Sequence, residues 1–366
     1  MKSVLHYKTN FLNPSETFIH RLISNHKRYK PEALCYKKLH FTDHIQVFDA
    51  PKSGIDKWIN KAAFHLNLSL PFYERIIKEQ KPDLIHAHFG YDGYKLLQIT
   101  ETLNIPLVVS FYGSDVSRLP DELFWKKRYK CMAASGARFI AASEFMKDQL
   151  LNLGFPGSKI DIARFGMDLS KLSFKEINPP GNRWMMAGRM VEKKGFEIVL
   201  RAAKVLADKA EDFTITIFGD GPLMPKLKNL NRELNLQSHV YFEGFKPVQS
   251  ILAAHKFHGL FIAPSVTAFD GDMEGLPNTI LEAMALGTPV VSTRHAAIPE
   301  VIEHTKTGFL TPERDIDELA STLRMILHGR YELDTIRQNA RNTIENLHDV
   351  QKMVPDVESI YDRVTG

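Results

Sequence analysis

Only two cysteines, Cys35 and Cys131, occur among the 366 residues. Two cannot build a disulfide framework and neither has metal-ligand spacing, which excludes a disulfide-stapled secreted domain and predicts a reducing compartment. Both are read as small buried hydrophobes. Long apolar runs are equally scarce. No stretch approaches the roughly 18 apolar residues of a membrane span. The opening MKSVLHYKTNF lacks the long apolar core of a signal peptide, so a cytoplasmic protein is expected. The chain also lacks internal repeats, low-complexity tracts and any recognised nucleic-acid-binding motif.

At this length two cores are expected rather than one, and the hydrophobic fraction of 44% suffices for both. The net charge of +4 is unevenly spread. Residues 1–176 hold 26 Lys and Arg against 18 Asp and Glu, a net of +8; residues 177–366 hold 21 against 25, a net of −4. The basic half carries NHKRYKPEALCYKK (25–38) and WKKRYK (125–130), where aromatics interleave with cations. Solvated helix faces are one reading; the other is attraction to an anionic membrane surface or a phosphate-bearing partner.

Short β-branched or aromatic runs alternate with longer helical patterns, the signature of parallel α/β construction. Strands are expected at 3–7, 83–88, 106–112 and 137–143, then at 183–188, 213–219, 240–244, 259–265 and 289–293. Helices are expected at 16–27, 91–104, 196–210 and 316–329. KEINPPGN (175–182) reads as a linker, because two prolines and a glycine end any regular element. Two doubly wound domains would bind a ligand at the C-terminal ends of their strands.

Unusual residues gather at those ends. AGRMVEKKGFEIVL (187–200) closes a strand and opens a helix, with Arg189, Lys193 and Lys194 in the connection. Cations beside a helix start suit a diphosphate, although plain surface charge reads the same way. In MEGLPNTILEAMALGTPVV (273–291), Pro277 and Asn278 suit a helix start, and the spacing of Ile280, Leu281, Met284 and Ala285 buries one side. Glu274 then precedes the helix and Glu282 lies about one turn inside it. The amides of Gly275, Leu276 and Asn278 are free at such a start. Carboxylates repel phosphate but accept both hydrogens of a sugar diol.

Taken in order, GRMVEKKG, FGDGPL, the Glu274–Glu282 pair spaced as E-x7-E, and ALGTPVVST resemble the family 4 retaining glycosyltransferases of the GT-B fold. That resemblance spans nearly the whole chain and is strongest over 183–312. It implies two Rossmann-like domains facing across a cleft: 1–178 for the acceptor, 179–346 for the nucleotide sugar, and a C-terminal helix, 347–366, crossing back to the first domain. It further implies that Arg189 and Lys194 hold a diphosphate, Glu282 the ribose hydroxyls and Glu274 the donor sugar, with the Gly275 and Leu276 amides nearby. Gly244 and Phe245 would border the base, and Gly219 and Gly221 would let the chain pass close to the ligand, although GDGP is also an ordinary turn. Lys193 falls one place off the motif and is expected to face solvent.

The implied reaction retains anomeric configuration without a cofactor or metal, the departing diphosphate being stabilised by cations. The implied partners are a nucleotide-sugar donor and a glycan acceptor, lipid-linked, at the inner face of the plasma membrane. PSETF (14–18) resembles a subgroup of exopolysaccharide and colanic-acid-type assembly, with Ser15 as a helix cap and Glu16 and Thr17 either structural or acceptor-binding. Where relatives carry His-Gly-x-x-Asp, this chain reads Tyr112-Gly-Ser-Asp115. A phenol is a poor base at neutral pH. His88 therefore becomes the candidate imidazole, with Asp115 either a site residue or a cap, and His86 deeper on the same face of the strand. Asp270 and Asp272 form a D-x-D pattern but are read as loop residues rather than metal ligands. Rival readings are a GT-B nucleotide-sugar 2-epimerase and a catalytically degenerate sugar-binding protein.

Overall fold

The computed structural model describes residues 1–11, 16–39, 45–51, 57–59, 61, 71–175 and 181–366. Ser15 and most of the proposed linker, residues 176–180, lie outside them. Two compact units are formed, Met1–Gly166 with Val350–Gly366, and Met167–Asp349.

In the first unit, β1 (Lys2–Tyr7), β3 (Tyr29–Cys35), β5 (Gln46–Asp49), β6 (Leu84–His88), β7 (Leu107–Phe111), β8 (Arg138–Ala141) and β9 (Ile160–Ile162) form one parallel sheet, ordered β5-β3-β1-β6-β7-β8-β9. The short β2 (Asn10–Phe11) and β4 (Lys37–Lys38) pair separately. LIHAH and LVVSF are buried at every position, as strands covered on both faces must be. Register sets His6 opposite His86, and His88 lies two residues on, on the same face.

The last helix, Val350–Thr365, completes this core. Val350, Met353, Val354, Val357, Ile360 and Tyr361 follow a helical period and pack on Val4, Leu84, Val108 and Ile140. Gly166 lies so close that an added Cβ would fall 2.8 Å from the Val350 Cα.

The second unit has six parallel strands, β10 (Arg183–Ala187), β11 (Thr214–Phe218), β12 (Val240–Gly244), β13 (Leu260–Ala263), β14 (Val290–Thr293) and β15 (Phe309–Thr311), ordered β12-β11-β10-β13-β14-β15. Its core includes Trp184, fully buried and stacked on Phe213 with 5.0 Å between centroids.

The boundary falls after Gly166, upstream of the prolines that the sequence singles out. The intervening residues belong to the second unit: Phe174 lies against Gly287, the Lys175 amide donates to the Leu286 carbonyl, and Arg341 donates to the Leu172 carbonyl. The run 25–38 contains a strand, β3, rather than a helix face. Its charges obscure the buried Ala33, Leu34 and Cys35. WKKRYK does lie on a helix, Leu123–Ala134, with Lys126, Lys127 and Lys130 outward and Trp125 and Tyr129 inward. Cys131 shares the outward face and is exposed, so only Cys35 is a buried hydrophobe.

Replacing Trp184 with alanine should lower the unfolding free energy by about 3–5 kcal/mol, measured by urea denaturation followed by far-UV circular dichroism.

Candidate functional site

In the second unit the ends of β10 and β11 are laced together. Gly188 N–H donates to the Phe218 carbonyl and Met190 N–H to that of Asp220. This close passage requires Gly219: at φ +133, its Cβ would lie 1.9 Å from the Gly188 oxygen. Gly221 is equally crowded, with Met190 atoms 2.7 Å from the position a Cβ would take. Both glycines therefore have a structural reason within the fold. The Gly219 amide binds the Gly244 carbonyl at 2.8 Å, which commits the Gly244 oxygen, while the adjacent Phe245 ring is 71% exposed.

Beyond Gly188, Arg189 is exposed, and a single turn, Glu192–Lys194, leads into the helix Phe196–Ala207. That turn aims both lysines at Glu274. Lys194 Nζ lies 3.0 Å from Glu274 Oε2 and Lys193 Nζ 3.4 Å from Oε1, while Lys193 also meets Asp272 at 3.1 Å. Lys193 thus does not face solvent; its ammonium is held between two carboxylates. Burial works against the Glu274 charge, but Lys194 and Lys193 outweigh it and hold the carboxyl below its ordinary range. The D-x-D pair is likewise engaged, Asp272 by Lys193 and Asp270 by the Asp272 amide.

Glu274 is fixed from behind as well. Its N–H donates to His295 Nε2 at 3.1 Å, so that nitrogen is unprotonated and Nδ1–H donates to Glu313 at 2.7 Å. The fully buried His295 thereby anchors the loop. The helix Asn278–Ala285 follows Pro277, with Glu282 one turn inside and 7% exposed. Among the described residues the Gly275 and Leu276 amides donate to no backbone acceptor. A small pocket lies between Lys194, Ser265, Pro277 and Thr279.

In the first unit the expectations for β6 and β7 change. Asp115 is completely buried, and its carboxylate accepts from the amides of Gly90, Tyr112 and Gly113 at 2.8–3.1 Å. It ties two strand ends together, as a cap does. His88 is also fully buried, with Nδ1 on the Tyr112 hydroxyl at 2.7 Å and Nε2 on His6 at 3.0 Å. Both its nitrogens are committed within the protein, and its partner Tyr112 is partly exposed. His6, His86 and His88 bring ligand atoms within 4.8 Å of one another, close enough for a metal ion. Each of those nitrogens nevertheless has a hydrogen-bond partner within the protein.

A second group escaped the sequence reading. The Lys8 ammonium, nearly buried, lies 3.4 Å from Asp92 and 3.8 Å from Glu16, and Lys95 also binds Asp92 at 3.1 Å. Glu16, rather than Ser15, occupies the cap position of the helix Thr17–Ser24. Its Oε2 is buried with no hydrogen-bond partner among the described residues, and burial raises its carboxyl to about 7 against the pull of Lys8. Only the PSETF run hinted at Glu16; Lys8, Asp92 and Lys95 meet through long-range pairing that no local pattern announces.

Comparison with known proteins fits this geometry. Residues 171–343 match the family model described as glycosyl transferases group 1, and residues 43–171 match glycosyltransferase family 4. The amylovoran biosynthesis glycosyltransferase AmsK of Erwinia amylovora is 33% identical over 283 residues, 75% of this chain and 69% of that protein. WcaL of Escherichia coli K12, whose name places it in colanic acid biosynthesis, is 32% identical over 279 residues, 75% of this chain and 68% of that protein. Among solved structures, Anabaena Alr3699/HepE in complex with UDP aligns with a TM-score of 0.80 at 18% identity, covering 99% of this chain and 100% of that one. That likeness shows the GT-B fold.

The raised Glu16 carboxyl means that the folded chain binds this proton more tightly than the unfolded chain. Its stabilising contribution is complete below about pH 4.5 and is lost as the pH rises through about 7. Glu16→Gln should remove that loss, so the variant gains on the parent by roughly 3 kcal/mol at most across this window. Urea unfolding of both proteins at a series of pH values measures the difference.

Proposed function

We infer that this chain, which belongs to glycosyltransferase family 4, moves a sugar from a nucleoside diphosphate donor to a glycan acceptor during assembly of a bacterial surface polysaccharide. The observation that carries the donor part is the convergence of Lys193 and Lys194 on Glu274, beside the Gly275 and Leu276 amides. A diphosphate arriving there meets cations and backbone donors already in position, without needing a metal to balance its charge. The exposed Arg189 adds a guanidinium, whose fork suits phosphate oxygens.

Glu274 then has two tasks. In the empty protein it neutralises the lysines. With donor bound, the diphosphate takes over Lys194 and the carboxylate turns to hydroxyls of the transferred sugar. Glu282, one turn along the helix, accepts from the ribose, and the backbone around Gly244 and Phe245 borders the base. Retention follows if the acceptor attacks on the face the diphosphate leaves, with a diphosphate oxygen taking the acceptor proton. This scheme asks for cations and positioning rather than a protein nucleophile. His295 acts at one remove, through the loop it anchors.

Glu16, with an oxygen that has no partner among the described residues, is the carboxylate in the first unit best suited to an acceptor hydroxyl. The lipid-linked character of the acceptor is supported by the basic first half, together with Leu123 and Phe124, which are 73% and 53% exposed beside Lys126 and Lys127.

With nucleotide sugars and lipid-linked glycan extract as substrates, Glu274→Ala and Arg189→Ala should each lower kcat/KM at least about 100-fold, as loss of an electrostatic contact to the transition state does. Unchanged transfer in either variant would remove that residue from the donor site. Turnover of the donor without acceptor would favour an epimerase instead. Cosedimentation with anionic vesicles at low salt should be strong and fall with added salt; indifference to vesicles would leave the membrane part without support.

A further inference from the structure

β14 and β15 pair in parallel with Thr293 opposite Thr311, and the Arg294 amide extends the ladder by donating to the Thr311 carbonyl at 2.9 Å. His295 and Glu313 each lie two residues past that pair, so register brings them together at the carboxyl edge of the sheet. His295 Nδ1 meets Glu313 Oε1 at 2.7 Å, and the other oxygen, Oε2, accepts the Thr267 amide at 2.8 Å. The Glu313 side chain is 28% exposed and that of His295 is fully buried.

One carboxylate therefore holds both ends of the segment 267–274, which contains neither helix nor strand. Thr267 is held directly and Glu274 through the His295 ring. The next residue tightens the same end. Arg314, left-handed at φ +62, donates to the Thr267 carbonyl at 2.6 Å and to Glu192 at 3.2 Å. Glu192 in turn accepts the Phe269 amide at 3.2 Å. Consecutive side chains thus take the N–H and the C=O of Thr267 and tie its loop to the turn that carries Lys193 and Lys194.

The hydrogens here are fixed by groups that have no alternative. A backbone N–H only donates, so His295 Nε2, 3.1 Å from the Glu274 nitrogen, is bare and the ring carries its hydrogen on Nδ1. Glu313 Oε1 must accept that hydrogen, and Oε2 must accept from Thr267. A carboxylate has two accepting oxygens, whereas a carboxamide of the same shape has one. Turned one way, glutamine at 313 would set its NH2 against the Thr267 N–H. Turned the other way, it would set its NH2 against the His295 Nδ1–H and favour the tautomer whose Nε2–H opposes the Glu274 amide.

We propose that Glu313 is a positioning residue for sugar transfer: its two accepting oxygens fix the His295 tautomer and hold the loop ends, and so set where the Glu274 carboxylate stands. The proposal rests on the donor-site reading for what Glu274 does, and on contacts within the second unit for how it is held. Arg189 and Lys194, the cations for the diphosphate, leave from β10 instead. Glu313 therefore governs orientation of the transferred sugar more than capture of the donor.

The tautomer is read without any activity assay. Long-range proton–nitrogen correlation spectra of the histidine-labelled full chain should show a ring with its hydrogen on Nδ1 and a bare Nε2, whose Nδ1 resonance moves in Glu313→Gln and which is missing in His295→Phe. A hydrogen on Nε2 of that ring, in place of the other or in addition to it, leaves the Glu274 amide without this acceptor and overturns the proposal. With nucleotide sugars and lipid-linked glycan extract, Glu313→Gln should lower kcat about 10-fold, the effect of one lost hydrogen bond, with donor KM within about twofold of the parent. Added to His295→Phe, the same change should cost nothing more, because without the Nδ1–H the glutamine oxygen is free for Thr267; a residue that only stabilised the fold would cost as much in either background. Unaltered kcat in Glu313→Gln, a loss confined to the melting temperature, or additive losses in the double variant would each overturn the proposal. Absence of all transfer by the parent chain, with the expected His295 tautomer in place, would instead overturn the glycosyltransferase reading and take the task of Glu274 with it.

Discussion

Parallel pairing is the constraint from which the other features follow. When neighbouring strands run the same way, their carboxyl ends share one edge of the sheet, and the chain must leave each through a loop that starts a helix. In the second unit that edge gathers Arg189, the two lysines, the glycine pair and the loop bearing Glu274. In the first it gathers Lys8, Glu16, His88, Tyr112 and Asp92. None of these sets is contiguous in sequence. Each exists because successive strands deliver their last residues to the same place.

Much of this was legible in the chain. The four central strands of the first unit and five of the second announce themselves as apolar runs bounded by turn residues, and E-x7-E places Glu274 before a helix and Glu282 inside it. What stayed hidden has physical reasons. The strand Tyr29–Cys35 begins among charges that imitate a solvated surface. Ile160–Ile162 and Phe309–Thr311 have three residues each, too few for any period to show. The second compact unit begins at Met167, upstream of the prolines, because prolines mark where regular structure stops, whereas ownership of a segment is decided by what it packs against. Here Leu172 and Phe174 answer to the second unit.

Charged side chains were the hardest to read. Lys193 looks like surface charge, since nothing local reveals that Asp272 and Glu274 will close on it. His88 looks like a free imidazole at a strand end, yet register brings His6 beside it and the following loop brings Tyr112, so both nitrogens are taken. Asp115 accepts from three backbone amides. A sequence shows which residues can do chemistry; only pairing shows which have already been claimed by the fold.

The first core is finished by a helix that arrives last. Val354, Val357, Ile360 and Tyr361 are made only after every residue of the second unit, so during synthesis that unit can close on its own while the sheet of the first waits with one face uncovered. The buried contact between His26 and Glu358, 3.2 Å long, has the same dependence. Until those final turns dock, His26 and the amides of Lys27 and Arg28 lack the carboxylate they share in the folded chain.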